Sequence, residues 1–311
     1  MNEPTFTLAL CIATFRRPEG LRRLLDGLEQ MDPVDGVDTT VVVVDNDETG
    51  PAAWAGERTI FGNQVRYAVE ERRGITFARN RALDEVKTLG TDWLGWLDDD
   101  EVPRPNWLRD IIETQRRTGA DVVAGPAEPV FEPGAPAWIV DTGAFGTERF
   151  ETDQPFPFFH TRTSGVILRS SLVPDGGFDN RMALTGGSDR VFFTHMHRAG
   201  GDFRWNDEAV VDEWVPASRV RASWLLRRWF RIGVTRSLTL LYVDSPSPLR
   251  RLRRAAGGTA MALGAMPGLL LAVPGGRTAI LNASRRMLLG IGAAWGVTGI
   301  GYNEYQKVHG S

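Results

Sequence analysis

Residues 93–101 read Trp-Leu-Gly-Trp-Leu-Asp-Asp-Asp-Glu, an apolar run that passes at once into four adjacent acids. This stretch constrains the fold more than any other. A short apolar run bounded by polar residues fits a strand buried on both faces. Four neighbouring carboxylates repel one another, and burial of the residues before them denies them full solvation. A divalent cation would compensate, because hard cations take several carboxylate and phosphate oxygens. In open α/β sheets, ligands bind at the carboxyl ends of strands. Two readings stand open at this point: a metal that itself holds a diphosphate, and an acidic loop facing water.

The rest of the chain supplies a sheet for that strand. Residues 7–13 form an apolar run followed by Thr14-Phe15-Arg16-Arg17-Pro18, with Pro18 placed to open a helix through residue 31. Leu21, Leu24, Leu25 and Leu28 repeat at helical spacing. Residues 40–44 are a β-branched strand ending in Asp45-Asn46-Asp47, and residues 65–69 are a weaker third strand. A helix is expected from residue 74, a helix over 106–117 and short strands at 121–125, 163–169, 203–205 and 209–211. Strands alternating with helices indicate a layered α/β fold. Residues 126–160 carry six prolines and many aromatics without periodicity, as a long functional loop would. Thr185-Gly186-Gly187-Ser188-Asp189-Arg190 leads into a helix at 191–199.

Charge divides the chain. Residues 217–311 hold 14 Lys and Arg against two acids, Asp244 and Glu304, whereas residues 1–216 hold 22 basic against 37 acidic residues. An acidic body with a basic tail fits a tail that meets an anionic surface. We therefore expect a body at 1–216, a helical membrane-associating region at 217–311, and no nucleic-acid partner. Cys11 is the sole cysteine, which excludes an internal disulfide and agrees with a reducing compartment. The N-terminus lacks the pattern of a signal peptide.

Taken together, Thr14-Phe15-Arg16-Arg17-Pro18, Val44-Asp45-Asn46, Ala78-Arg79-Asn80, Leu97-Asp98-Asp99-Asp100 and Gly186-Gly187-Ser188-Asp189 resemble the family 2 glycosyltransferases, which have the GT-A fold. More narrowly, Arg16-Arg17-Pro18, the acids through Glu101, Val215-Pro216-Ala217-Ser218-Arg219 and the Gly-rich apolar tail ending near Tyr302 to Tyr305 resemble the succinoglycan-type exopolysaccharide glucosyltransferases of bacteria. The resemblance implies a mixed Rossmann-like sheet flanked by helices and the following roles. Thr14, Phe15 and Arg17 lie against the nucleotide, Asp45 contacts the uracil or ribose, and Arg79 lies near the phosphates. Asp98 faces the ribose, Asp100 holds Mg2+ or Mn2+, and Asp189 is the catalytic base. Two positions depart from the family pattern: Ser188 stands where Glu is usual, and Asp212 where relatives often have His.

The chemistry fits these residue types independently. A nucleoside diphosphate leaves readily once a divalent ion neutralises it, and the acceptor hydroxyl needs a carboxylate to take its proton. Plainer readings accompany each residue. Asp45 could close a turn, Asp189 could cap a helix, Thr14 and Arg17 could be a cap and a surface charge, and Arg79 and Asn80 a solvated helix face. His195 and His197 sit two apart on a helix and make a poor metal pair.

In the tail, residues 220–243 mix bulky apolar residues with arginines, as in a helix lying in a membrane interface or packed on the body. Arg219 is expected to make a membrane or phosphate contact, as are Arg250, Arg251, Arg253 and Arg254, which suit anionic lipid or a lipid-linked diphosphate. Residues 255–276 and 287–303 are uncharged, but the first run holds Pro267, Pro274 and six glycines, which weaken a straight helix. The expected placement is peripheral or monotopic, on the cytoplasmic face of the bacterial inner membrane. The expected function is an inverting, metal-dependent transfer of a hexose, glucose by preference, from a UDP-sugar to a lipid-linked saccharide. The alternatives are a polyprenyl-phosphate hexosyltransferase and a catalytically silent membrane-bound nucleotide-sugar-binding protein.

Overall fold

The computed structural model describes residues 6–302. Strand β1 (Phe6–Thr14) forms its centre, with Leu8, Leu10 and Ile12 buried on one face and Ala9 and Cys11 on the other. Helix α1 (Pro18–Glu29) covers the first face through Leu21, Leu24, Leu25 and Leu28. Strand β2 (Val37–Asp45) pairs in parallel with β1. A small hairpin of β3 (Thr59–Ile60) and β4 (Asn63–Gln64) precedes β5 (Arg66–Val69), which extends the sheet beyond β2. Helix α2 (Ile75–Leu89) crosses the second face on Ala78, Ala82 and Val86, and β6 (Trp93–Asp98) returns on the other side of β1.

The chain continues through β7 (Glu101–Pro103), α3 (Trp107–Thr118), β8 (Val122–Ala124), β9 (Ala127–Phe131) and the single turn α4 (Ala137–Val140). Then come β10 (Val166–Arg169), α5 (Ser188–Arg198), β11 (Phe203–Trp205) and β12 (Val211–Val215). The main sheet has seven strands in the order β11-β8-β10-β6-β1-β2-β5, and β10 runs antiparallel to both of its neighbours. This is the expected mixed α/β sheet with helices on both faces. A second sheet, β7-β12-β9, stands over the end of β6.

That second sheet is where sequence and structure differ. The strand expected at 209–211 lies at 211–215, because Asp212 and Glu213 interrupt its apolar pattern. The segment expected to be irregular supplies β9, whose Pro129 is tolerated at a sheet edge.

The tail forms α6 (Ala222–Asp244), α7 (Pro248–Gly264), α8 (Met266–Leu271) and α9 (Gly276–Gly296). Of the two readings open for residues 220–243, α6 takes the packed one. Its Trp224, Leu225 and Trp229 are buried, and Trp224 stacks on Phe145 at 5.8 Å between ring centroids. Of the six glycines in residues 255–276, Gly258 is a contact point between helices, whereas a Cβ on Gly257, Gly264, Gly268 or Gly276 would meet nothing; in α9, Gly292 is a second such point. A Cβ on Gly292 of α9 would sit 2.0 Å from the Phe230 carbonyl oxygen of α6, and one on Gly258 of α7 would sit 2.7 Å from the Gly290 carbonyl oxygen. Small residues permit such backbone approach.

The break falls around Pro267 and Pro274, where residues 248–271 and 273–296 form a pair bent by 58°. No single described helix is long and apolar enough to cross a membrane. The bend leaves Leu270, Leu271 and Val273 exposed. Asn303, Glu304 and Tyr305, at the end of the apolar tail, lie outside the described residues.

Candidate active site

Three parallel strands end level with one another: Thr14 lies opposite Asp45, and Ala13 opposite Asp98. A cavity opens there, lined by Thr14, Phe15, Arg17, Arg79, Asp98 and Asp100, with Glu213 and Arg219 reaching in from the second sheet and the segment after it. The acids are not a loop in water, since Asp99 and Glu101 are only 4% and 2% exposed. Each is met by a named partner. The Thr14 hydroxyl donates to Asp99 at 2.9 Å, and Arg17 Nη1 donates to Asp99 at 2.8 Å and to Asp100 at 3.1 Å. Arg219 Nη1 donates to Asp100 at 3.0 Å, and Arg79 Nη2 to Asp98 at 3.2 Å. Glu101 accepts the Asp98 N–H at 3.0 Å and the Ser164 hydroxyl.

These contacts set the electrostatics. Desolvation pushes the Asp98 carboxyl up to about 7 against the pull of Arg79, with Asp100 and Asp99 adding to the rise. Burial raises Asp99 and Glu101 as well, the latter with Asp98 as the next cause. Burial works against the charge of Arg17, but Asp99 and Asp100 hold its guanidinium above the ordinary value.

The donor set bears on whether Mg2+ or Mn2+ can bind here. Among the described residues, no group of three or more His, Cys, Asp or Glu could hold a metal alone. Such ions are commonly held by one or two carboxylates together with substrate phosphates. Asp100 fits that mode: both arginines bond its Oδ2, which leaves Oδ1 for a further ligand.

Asp45 is fully buried, and its carboxylate accepts the N–H groups of Asp47 at 3.1 Å and Ala52 at 2.9 Å and the Tyr67 hydroxyl at 3.1 Å. It closes the turn after β2 and lines a second cavity that shares Thr14 and Arg17 with the first. Arg79 and Asn80 are not a solvated face. Arg79 points inward, and Asn80 exchanges hydrogen bonds with the backbone of Phe178, tying α2 to the segment before α5.

Asp189 lies in the first turn of α5, which begins at Ser188 with Gly187 as its N-cap. The expectation of a helix from residue 191 is thereby moved three residues earlier. Asp189 accepts the Arg190 N–H at 2.8 Å and lines a cavity with Glu101, Arg162 and Arg231 that shares Arg79, Asp98 and Glu213 with the first. Ser188 accepts a hydrogen bond from Arg79 at 3.3 Å, so a neutral contact stands where the family places a carboxylate. Gly187 has a φ of 80°, and a Cβ there would sit 2.0 Å from Thr235 Cγ2. The paired glycines thus let α6 close against the turn that carries Asp189.

Two features escaped the sequence reading. The first is the pairing of β12 with β7, which sets Glu213 opposite Glu101 and inside the site, while the neighbouring Asp212 pairs outside with Arg104 at 2.9 Å. Strand alternation could have separated the two, had the strand been recognised. The second is Asn46, which donates to the carbonyls of Glu70 and Arg72 and accepts the Gly74 N–H at 2.8 Å, bringing Arg73 and Gly74 to the cavity wall.

The structure also divides the basic residues expected at a membrane. Arg219 is in the cavity. Arg250 pairs with Asp244 at 3.2 Å, Arg254 donates to the Ser237 hydroxyl at 3.1 Å, and Arg251 and Arg253 are exposed. Among the loop aromatics, Phe145 and Phe156 are core, whereas Phe159 is exposed.

Residues 9–173 match the family described as glycosyl transferase family 2. The chain is 33% identical over 238 residues to the succinoglycan biosynthesis protein ExoM of Rhizobium meliloti, covering 76% of this chain and 75% of that one. It is 24% identical over 223 residues to the glucosyl-dolichyl phosphate glucuronosyltransferase of Haloferax volcanii, covering 65% and 67%. The fold is similar to that of the mannosyltransferase PcManGT of Pyrobaculum calidifontis, solved with GDP-Man and Mn2+, with a TM-score of 0.58, 19% identity and 94% and 89% coverage. It is also similar to residues 1–349 of TarS of S. aureus, solved with UDP, with a TM-score of 0.54, 14% identity and 90% and 89% coverage.

Proposed function

The chain belongs to glycosyl transferase family 2, and on that premise we propose that it moves a hexose, glucose by preference, from a UDP-sugar to a lipid-linked saccharide, with inversion, in exopolysaccharide synthesis. The observation that carries this reading is the pair of adjoining cavities: one at the strand ends with Asp98 and Asp100, one with Asp189, sharing Arg79, Asp98 and Glu213. The names of the two sequence relatives support a polysaccharide pathway and a lipid-linked acceptor. A UDP donor is supported by the UDP complex of the TarS neighbour, and a divalent cation by the Mn2+ complex of the mannosyltransferase neighbour.

In this reading Thr14, Phe15, Arg17 and Asp45 hold the nucleoside side of the donor, and Asp98 and Arg79 the ribose and phosphate side. Asp100 would ligate Mg2+ or Mn2+, which supplies neutralising charge for the leaving diphosphate. Arg17 and Arg219 fix the Asp100 carboxylate. The acceptor hydroxyl gives its proton to Asp189 as its oxygen bonds the anomeric carbon and the bond to UDP breaks on the opposite side.

The bent tip at Leu270, Leu271 and Val273, with Arg251 and Arg253 exposed at the far end of α7, supports peripheral or monotopic seating on the cytoplasmic face of the bacterial inner membrane. The test is a panel of radiolabelled nucleotide sugars incubated with the enzyme and membrane lipid extract, with Mn2+ or with chelator. We expect UDP-hexose transfer that chelator abolishes. Transfer from GDP-sugars alone, or transfer indifferent to chelator, would overturn the donor or metal assignment.

A further inference from the structure

Asp244 is the sole acid of residues 217–302, and it is already bonded by Arg198 and by Arg250. Among the described residues, the tail holds no second acid. Three helices bring arginines to one place beside the catalytic turn. Arg190 follows Asp189 on α5, and its guanidinium lies over the Phe159 ring at 5.6 Å. Arg236 lies on α6, which packs on α5. Arg254, on α7, donates to the hydroxyl of Ser237, the neighbour of Arg236.

Among the described residues, none of the three has a carboxylate within ion-pair distance. Their charges act on one another: behind burial, Arg236 is the next cause holding Arg190 below its ordinary value, and Arg254 the next cause for Arg236. Arg190 and Arg254 are half-buried and Arg236 is exposed, so the cluster opens to a ligand. Asp189 offsets part of this repulsion at Arg190, but guanidiniums gathered without an ion-paired acid favour a polyvalent anion, and their forks match phosphate oxygens.

We propose that Arg190, Arg236 and Arg254 bind the diphosphate of the lipid-linked acceptor, beside the turn that carries Asp189. The inference rests on the lipid-linked acceptor assigned above. A diphosphate held here leaves the saccharide to reach Asp189 and the lipid to run toward the apolar hairpin of α7 to α9. The same anion chemistry is offered by acidic membrane headgroups, so the test must separate the two sources.

The experiment uses the full chain in detergent with farnesyl diphosphate as probe, and phosphatidylglycerol vesicles as the second arm. Arg236→Gln with Arg254→Gln should weaken farnesyl diphosphate binding at least about tenfold, as expected for lost charged hydrogen bonds. UDP affinity and vesicle flotation should stay as in the parent. Arg236→Lys with Arg254→Lys should retain most of the binding. Should the Gln pair fail to fold, Arg236→Glu on the exposed face serves, with a larger loss expected. Farnesyl diphosphate binding indifferent to these changes would overturn the proposal, and so would a loss confined to vesicle flotation. A parent that binds UDP but not the probe refutes this inference alone, whereas one that binds no UDP refutes the donor assignment.

Discussion

On the proposed donor side of the cleft, Asp98, Asp99 and Asp100 are each met by a guanidinium, Arg79 and Arg17 from elements beside the central sheet and Arg219 from the segment after β12. On the acceptor side, α6 to α9 hold many arginines with one acid among them in the described residues. The first region is compensated within itself and can be rigid before any ligand arrives. The second carries excess charge and exposed apolar surface, so it becomes neutral and covered only through partners. The packing differs in the same sense. The sheet is filled by Leu, Ile and Val side chains, whereas α6, α7 and α9 approach backbone to backbone at glycines.

This contrast can be broken from the helical side. Gly292→Leu would drive a side chain into the Phe230 carbonyl, where a Cβ alone already sits at 2.0 Å. Overpacking of this kind costs about 3 kcal/mol when the neighbour is backbone that cannot yield. Thermal unfolding should shift down by several degrees, while UDP affinity measured below the transition stays near that of the parent. An unchanged melting curve would mean that α6 and α9 are not locked at that position.

A smaller effect sharpens the contrast at the membrane. Leu271 is 81% exposed at the bend. Leu271→Ser should reduce binding to phosphatidylglycerol vesicles about tenfold, since burying such a side chain is worth roughly 1.5–3 kcal/mol. Arg253→Gln should reduce it less, about fivefold, from roughly 1 kcal/mol for a basic residue near an anionic surface. Flotation that ranks the arginine above the leucine would favour a surface held by charge over one anchored by the bend.

The two regions were unequally legible in the sequence. β1, β2 and β6 announced themselves because fully buried parallel strands read as apolar runs, and because each ends abruptly in polar residues at the site. The acids were recognisable too, but not their partners: Arg17 and Arg219 are 202 positions apart in a chain whose sequence cannot show them meeting on Asp100. β12 was displaced because Glu213 and Asp212 break the apolar strand pattern. α6 stayed ambiguous because a helix facing a protein core and one facing lipid show the same amphipathic pattern. Gly258 of α7 misled because helix propensity says nothing of a neighbour's backbone.

In the proposed reaction Asp189 is the base that joins the two regions. Asp189→Asn keeps an oxygen that can accept the Arg190 N–H, and Asn serves a helix start about as well as Asp, so folding and UDP-sugar affinity should survive. Ser188→Ala, which removes only the contact to Arg79, is the control and should act much more weakly. The decisive measurement is single-turnover sugar transfer to a lipid-linked acceptor, with donor binding followed by calorimetry on the same preparations. The expected result is a fall of about 100-fold or more in the Asp189→Asn chemical step with donor affinity unchanged. Transfer at near the parent rate would contradict it and move the base to Glu213, the other carboxylate that lines both cavities.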